Sequence, residues 1–398
     1  MKSFARLLLA ALVIVSHAFA QQFSHVVIVI QENRTPDNLF GAYTIPGADL
    51  SPIGTGIPLA GEIDRGHSHY NFVAEVQGKW PSGSVAFVSD PAVDPYYQLA
   101  ISYGFANRMF QTNQGPSVPA HHFLFEGTSQ PSEGSALFEA GDSTVGCLLP
   151  GSTSFIDPEG RMSPGSPCLD PVTLADLIEA AGLSWKYYAQ SKYTLWNAPI
   201  AIEHICQPSG SVCAGADYNV ITPPTAILTD IAKGTLADIS WVTPGSGYSD
   251  HPGGGGAGPA WVASIVNAIG QSSYWSNTII FVTWDDWGGW YDHVAPLPSR
   301  SFCPPTYCYG FRVPLLIISA QTPANCIDNN DYDSGGSFLA FVEDNFSLPR
   351  LGHADSSTPN SLSATPCIVP QSNRQFQPIA ARKMTKAEIE APGDPDDD

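Results

Sequence analysis

The stretch Ile279–Val294 reads IIFVTWDDWGGWYDHV, and its two halves belong to different kinds of structure. Ile279–Thr283 is an apolar run rich in β-branched residues with no polar alternation, as in a strand buried on both faces. It breaks into Trp284-Asp285-Asp286-Trp287-Gly288-Gly289, where adjacent carboxylates and two glycines demand a tight polar turn. Open α/β sheets gather their ligands at such carboxyl ends of strands. Three more runs share this character: Val26–Ile30, which also ends in a polar turn (Gln31-Glu32-Asn33-Arg34), Ile239–Val242 and Val313–Ser319. Helix punctuation lies around them. Thr173 caps Leu174–Ala181 with Gly182 beyond, Ala226–Ala232 stops at Gly234, Ala260–Ile269 ends at Gly270, and a further helix covers about Phe338–Phe346. The pattern predicts an α/β fold, with a mostly parallel central sheet covered by helices on both faces. Residues 44–66 and 129–170, dense in Gly, Pro and Ser, are expected to be long surface loops.

Composition narrows the partners. With 398 residues, 43 % hydrophobic and 14 % charged, the chain has ample material for a core and is neither disordered nor collagen-like. Lys and Arg number 17 against 37 Asp and Glu, a net charge of −20 that leaves no basic face for nucleic acid or an anionic membrane. The first twenty residues read as a secretory signal: Lys2 and Arg6, an apolar run Leu7–Val15, and Ala18-Phe19-Ala20 before the cut. Cleavage near Ala20 deepens the charge to −22 and sends the chain to the periplasm or the medium. No later run approaches the ~20 apolar residues that span a bilayer, so no transmembrane anchor is expected. The division is a signal peptide at 1–20, one domain at 21–387 and an acidic, solvated tail at 388–398.

Eight cysteines in an exported chain point to disulfides. Cys206 with Cys213 and Cys303 with Cys308 are close enough to close small loops, and Cys147 with Cys168 and Cys326 with Cys367 complete one set among about 105 connectivities. No C-x-x-C or H-E-x-x-H supports a structural zinc site.

Chemistry concentrates at the strand ends. Glu32, Asn33, Asp285 and Asp286 offer oxygen ligands to a divalent cation, and the adjacent aspartates repel each other unless a cation or proton intervenes. In Gly115-Pro116-Ser117-Val118-Pro119-Ala120-His121-His122, Pro119 suits a first helical turn, which sets Ser117 at a helix N-terminus that favours phosphate. A serine there is either a nucleophile or a simple cap. Histidines cluster nearby in sequence: His67 and His69, His121 and His122, His204, His251 and His293. His251 follows the strand Ile239–Val242 through a short loop and so falls at the same sheet edge.

The blocks Glu32–Gly41 (ENRTPDNLFG), Gly115–Pro119 (GPSVP), Ser249–Gly253 (SDHPG), Trp284–Val294 and Phe311–Ser319 (FRVPLLIIS) resemble, in order, the bacterial phosphoesterase family of phospholipases C and a secreted acid phosphatase. The resemblance runs from about residue 24 to 346. It implies an alkaline-phosphatase-like fold, a metal held by Glu32, Asn33, Asp285 and Asp286, and Ser117 as nucleophile. It also implies phosphate-facing histidines at His67 (preferred to His69), His204 and His251. His121 and His293 are the candidates for substrate contacts, although family phospholipases carry Asn-Arg where this chain has Ala120-His121. The cation is expected to be Mg²⁺, Ca²⁺ or Mn²⁺, with Fe or Zn as alternatives. The substrate is a phosphate ester, monoester or diester, with phospholipid the leading specific case. Trp284, Trp287, Trp290 and Tyr291 are available for an apolar approach, against the ordinary alternative of packing.

Rival readings fare worse. Ser117-Val118-Pro119 starts a sulfatase signature but has His121 at the arginine position, and Cys206-Gln207-Pro208 has Gly210 there. No G-x-S-x-G elbow supports a serine esterase. The glycine run Gly253–Gly258 lacks the acidic residue of a dinucleotide site and reads as a loop beside His251. From another class, the chain fits a catalytically silent exported binding protein on the same fold.

Overall fold

The computed structural model describes residues 21–131, 134–139, 146–148, 153–194, 196–298 and 307–392. The expected signal at 1–20, Cys303 and the last six residues lie outside these. Eight strands form the central sheet: β1 (His25–Gln31), β2 (Gly104–Ala106), β3 (Trp185–Tyr188), β4 (Val220–Ile221), β5 (Ile239–Val242), β6 (Thr278–Trp284), β7 (Leu315–Ser319) and β8 (Cys326–Asp328). Their spatial order is β4-β3-β5-β1-β6-β7-β2-β8. All neighbours pair parallel except β7, which runs antiparallel to both β6 and β2. Every residue of β5, β6 and β7 is buried, so both faces are covered, which is why these strands read as unbroken apolar runs. The four apolar runs found in the sequence are β1, β5, β6 and β7. Of the other four strands, three have two or three residues, too short for any periodicity to show, and β3, as long as β5, reads Trp-Lys-Tyr-Tyr, with no β-branched apolar run.

Helices accompany the sheet: α1 (Pro36–Phe40), α2 (His69–Glu75), α3 (Asp94–Ser102), α4 (Ser117–Glu126), α5 (Leu174–Ala180), α6 (Glu203–Cys206), α7 (Ala226–Lys233), α8 (Gly258–Gly270) and α9 (Ser334–Phe346). They pack in two groups, α4 against α5 and α9, and α8 against α3 and α7. The local signals act as expected. Thr173 and Asp176 form a capping box at α5, Gly234 ends α7 in the left-handed conformation, and Asp333 caps α9 through the amide of Gly336. One apolar core runs through the chain from Phe23 to Ile379.

Two expectations need correction. Residues 129–170 are not only loop: Ala136–Glu139, Thr153–Ile156 and Met162–Gly165 form a three-stranded antiparallel sheet, and Thr55–Ile57 within 44–66 pairs with Ala86–Val88. Short strands with Ser, Pro and Gly inside them carry no readable alternation. The start of the acidic end is largely exposed but anchored, and its last six residues lie outside the described ones. Lys386–Ile389 form a capped helical turn, and the Ala391 carbonyl accepts from Ser246 Oγ at 3.2 Å and Gln190 Nε2 at 3.2 Å. Disulfides join Cys147 to Cys168, Cys206 to Cys213 and Cys326 to Cys367, three of the four expected pairs; the pairing of Cys303 with Cys308 falls outside the described residues.

Candidate active site

The sheet register assembles the site. Gln31 at the end of β1 stands opposite Trp284 at the end of β6, so the turns Glu32–Arg34 and Asp285–Gly289 emerge side by side. Asp285 N donates to the Gln31 carbonyl (2.9 Å), and Arg34 N to the Asp286 carbonyl (3.1 Å), continuing the ladder into the turns. Asn33 N then donates to Asp285 Oδ1 at 3.0 Å. Asn33 has φ 60°, an uncommon left-handed conformation for a non-glycine residue, of the kind concentrated at functional sites. The approach is too close for a side chain at Gly288, where an added Cβ would lie 2.5 Å from both the Asn33 Cβ and its carbonyl oxygen.

From α4, two side chains a helical turn apart face this junction. Ser117 Oγ lies 3.4 Å from Asp286 Oδ2, and Asp286 Oδ1 is held at 2.7 Å by the amide of Gly288. His121 Nε2 lies 3.3 Å from Glu32 Oε1 and 3.9 Å from Asp285 Oδ2. Glu32, His121 and Asp285 present ligand atoms within 4.8 Å of one another, all buried. Asn33 Oδ1, Asp285 Oδ2 and His121 Nε2 find no hydrogen-bond partner among the described residues. Such orphaned buried groups fit a bound cation, which would collect oxygen and nitrogen donors at this point. Burial holds the His121 pKa down to about 4 against the opposing pull of Asp285, so its imidazole is neutral at pH 7.

His67 closes another side. Its Nδ1 donates to the Arg65 carbonyl at 2.7 Å, which leaves Nε2 to accept from Asn33 Nδ2 at 3.2 Å, 3.6 Å from Asp286 Oδ2. His251 is tied to the same edge: Gln31 Oε1 accepts from Asp250 N (3.0 Å), and Arg34 donates twice to the Asp250 carbonyl. Its Nδ1 donates to the Pro252 carbonyl at 2.6 Å, and its Nε2 lies 4.0 Å from Asp64 Oδ1, which is also 4.0 Å from His67 Nδ1. Asp64, an exposed residue within 4.0 Å of both histidines, carries no motif and was not visible in the sequence.

The structure separates three expected residues from this cluster. His204 on α6 bridges Asp170 Oδ1 (2.5 Å) and Asp176 Oδ1 (3.0 Å) at the surface, where burial lowers its pKa but the two carboxylates outweigh that and raise it. A disulfide-closed hairpin follows it directly and turns the chain away from the sheet edge. His293 bridges Asp37 Oδ2 (2.7 Å) and Asp49 Oδ1 (3.1 Å) in a separate group with Asp292 and Arg312. Its backbone lies seven residues past Asp286, beyond the tight glycine turn. His69 is buried against Phe138 and Tyr307. Trp284, Trp287 and Trp290 are fully buried packing residues and offer no surface to a substrate.

Two structural consequences are testable here. Arg312, fully buried, donates to both Asp292 oxygens (2.8 and 3.0 Å) and to the carbonyls of Asp49 and Asn107. Arg312→Leu strands the Asp292 carboxylate and is expected to cost about 3–5 kcal/mol in urea denaturation. Glu75 on α2 accepts from Trp287 Nε1 at 2.8 Å, and burial, partly offset by that bond, raises its pKa to about 7. Above the ordinary carboxyl range the folded chain thus holds a proton the unfolded chain has lost, and folding weakens as pH rises from about 4.5 to about 7. Melting temperatures of Glu75→Gln should therefore fall less across that interval than those of the parent; equal slopes would refute the assignment.

Residues 59–349 match the family model described as the Phosphoesterase family. The chain is 23 % identical to the non-hemolytic phospholipase C of Pseudomonas aeruginosa, over 83 % of this chain and 55 % of that protein. It is 24 % identical to phospholipase C B of Mycobacterium tuberculosis, over 82 % of this chain and 73 % of that one. It thus spans little more than half the length of the Pseudomonas relative. Among solved structures, a protein in the alkaline phosphatase superfamily from Vibrio parahaemolyticus aligns with TM-score 0.43 and 14 % identity, over 85 % of this chain and 71 % of that one.

Proposed function

The chain belongs to the phosphoesterase family, and on that premise we propose that it is an exported, metal-dependent hydrolase of phosphate esters that works through a phosphoserine at Ser117. The observation that carries this reading is the meeting of Ser117 Oγ with Asp286 Oδ2 at 3.4 Å, at the N-terminus of α4 and beside the orphaned ligand atoms of Asn33, Asp285 and His121. Glu32, Asn33, Asp285 and Asp286 would hold the metal. When bound, a divalent cation there supplies positive charge for the serine oxygen and for a phosphoryl oxygen.

The chain's own groups do the rest. The first amides of α4 have no helical acceptor and face the phosphate, which a strongly acidic surface does not attract from a distance. Ser117 Oγ releases its proton to solvent and attacks phosphorus in line; the P–O bond to the leaving group breaks, and the phosphoryl group stays on serine. His251, with Nδ1–H fixed on the Pro252 carbonyl, has its Nε2 beside Asp64, and a proton on that nitrogen would pass to the leaving oxygen. Water then attacks the phosphoserine, releases phosphate or a phosphomonoester and returns the proton to the serine oxygen. His67 holds Asn33 in place through its amide.

Relatives named phospholipase C favour a phospholipid diester as substrate. One surface feature agrees: α2, which follows His67, leaves Tyr70, Val73 and Val76 exposed at three-residue spacing, an apolar rim for acyl chains. Three disulfides agree with an oxidising destination, and no helix of the described residues is long and apolar enough to cross a membrane. One main core from Phe23 to Ile379, with smaller apolar clusters beside it, supports one catalytic domain over 21–387.

The test is hydrolysis of p-nitrophenyl phosphate, bis(p-nitrophenyl) phosphate and phosphatidylcholine vesicles, with and without a chelator. Turnover that the chelator removes and added metal restores is the expected result. Absence of turnover on all three would instead favour the silent binding protein.

A further inference from the structure

The ligand set expected from the strand ends is made of oxygens alone, yet a ring nitrogen is aimed into its centre. His121 is fully buried, one helical turn after Ser117, and its Nε2 sits 3.3 Å from Glu32 Oε1 and 3.9 Å from Asp285 Oδ2. It is not aligned to hydrogen-bond either carboxylate.

The other face of the ring tells which nitrogen carries the proton. Tyr187 Oη on β3 lies 3.4 Å from His121 Nδ1, and its hydroxyl donates to the Trp196 carbonyl at 2.7 Å. A phenol has one proton. With that proton committed to Trp196, the tyrosine oxygen can only accept from Nδ1–H, and the lone pair of the imidazole is left on Nε2, facing Glu32 and Asp285. A metal-bound histidine has this arrangement: one nitrogen on the ion and the other N–H given to an oxygen that fixes ring and tautomer. A histidine serving substrate contacts, as expected from the sequence, would have to turn this nitrogen away from two carboxylates it already faces.

We propose that His121 is a nitrogen ligand of the metal site, positioned by Tyr187, and that it gives the site a preference for a borderline transition cation such as Zn²⁺ or Fe²⁺ over Mg²⁺ and Ca²⁺. Hard cations of the second group take oxygen ligands almost exclusively, whereas imidazole suits zinc and iron. The inference rests on the metal-bearing reading of the site given above, but not on catalysis. It would add a nitrogen to the oxygen donor set from which Mg²⁺, Ca²⁺ or Mn²⁺ was expected, with Fe or Zn as the alternatives.

The mature chain, stripped of metal and dialysed against equimolar Mg²⁺, Ca²⁺, Mn²⁺ and Zn²⁺, is expected to take up Zn²⁺ at about one ion per chain by elemental analysis. His121→Asn should lower Zn²⁺ affinity by at least about tenfold while leaving Mg²⁺ affinity within about threefold, and Tyr187→Phe should produce a loss of about tenfold. Loaded with Co²⁺, the parent should show visible absorption bands that shift in His121→Asn. Uptake of Mg²⁺ or Ca²⁺ in preference to Zn²⁺ by the parent overturns the proposal without any variant, as does an unchanged Zn²⁺ affinity in His121→Asn. A chain that binds Zn²⁺ through His121 and yet hydrolyses no ester sustains this inference and refutes the enzymatic one.

Discussion

Ser117→Ala is expected to lower turnover of any ester the protein hydrolyses by at least about 10⁴-fold, roughly 5.5 kcal/mol of lost transition-state stabilisation. The alanine has no oxygen to form the phosphoserine, and a water in its place has neither the fixed position nor the contact with Asp286 that the serine oxygen enjoys at 3.4 Å. The fold should hardly notice. Ser117 is the first residue of α4, Pro116 occupies the cap position, and the serine side chain makes no capping hydrogen bond. Its helix is buried along nearly its whole length and ends in a left-handed Gly127. Unchanged circular dichroism and metal content beside a collapsed kcat would confirm the role. A variant that keeps a tenth or more of the parent's turnover would remove Ser117 from the mechanism.

The second large effect has opposite signs in the presence and absence of metal, which makes it diagnostic. Asp285→Asn removes one of three fully buried carboxylates that crowd the ends of β1 and β6, the others being Glu32 and Asp286. Without metal, the substitution relieves repulsion, so the stripped variant should melt no lower than the stripped parent. With metal the order reverses. A cation at about 100 times its Kd stabilises the parent by about 2.7 kcal/mol, and the variant, with a neutral amide in place of a charged ligand, should lose most of that gain. Turnover should fall by about 10³-fold or more, since the charge that the cation supplies to the reacting oxygens goes with it. Equal melting shifts on metal addition in parent and variant would show that Asp285 is not a ligand.

Reading depth differed among the elements for physical reasons. Strands β1, β6 and β7 are long enough, and the four-residue β5 apolar and buried enough, to write themselves as apolar runs, and the polar turns after β1 and β6 follow directly from them. Ser117 at a helix start was legible from Pro119. The antiparallel direction of β7 was not, because an apolar strand looks the same in either direction and the connection from β6 carries no sequence mark of its sense. Strands of two or three residues such as β4 and β8 are held by their neighbours and have no local pattern to show.

Among the histidines, neighbours in sequence misled and neighbours in space decided. His204 has the composition of a phosphate ligand, but Asp170 and Asp176 claim both its nitrogens. His293 stands close behind Asp286 in the chain, and Asp37 and Asp49 hold it elsewhere. His121, by contrast, came to the carboxylates because 3.6 residues per turn put it on the same helix face as Ser117.

The sequence by itself determined the chemistry available: which residue types stand at the ends of buried strands, a serine at a helix start, and an acidic chain whose cysteines form disulfides. These are local properties, set by neighbours within a few residues. Which of those residues meet was decided only by the tertiary structure, because the meeting depends on strand order and register. Parallel pairing of β1 with β6 brings Asn33 to Asp285 across 252 positions, and α4 adds Ser117 and His121 from between them. No local pattern encodes the direction in which a ring nitrogen finally points; here it is the single proton of Tyr187, committed to the Trp196 carbonyl, that turns His121 Nε2 toward Glu32 and Asp285.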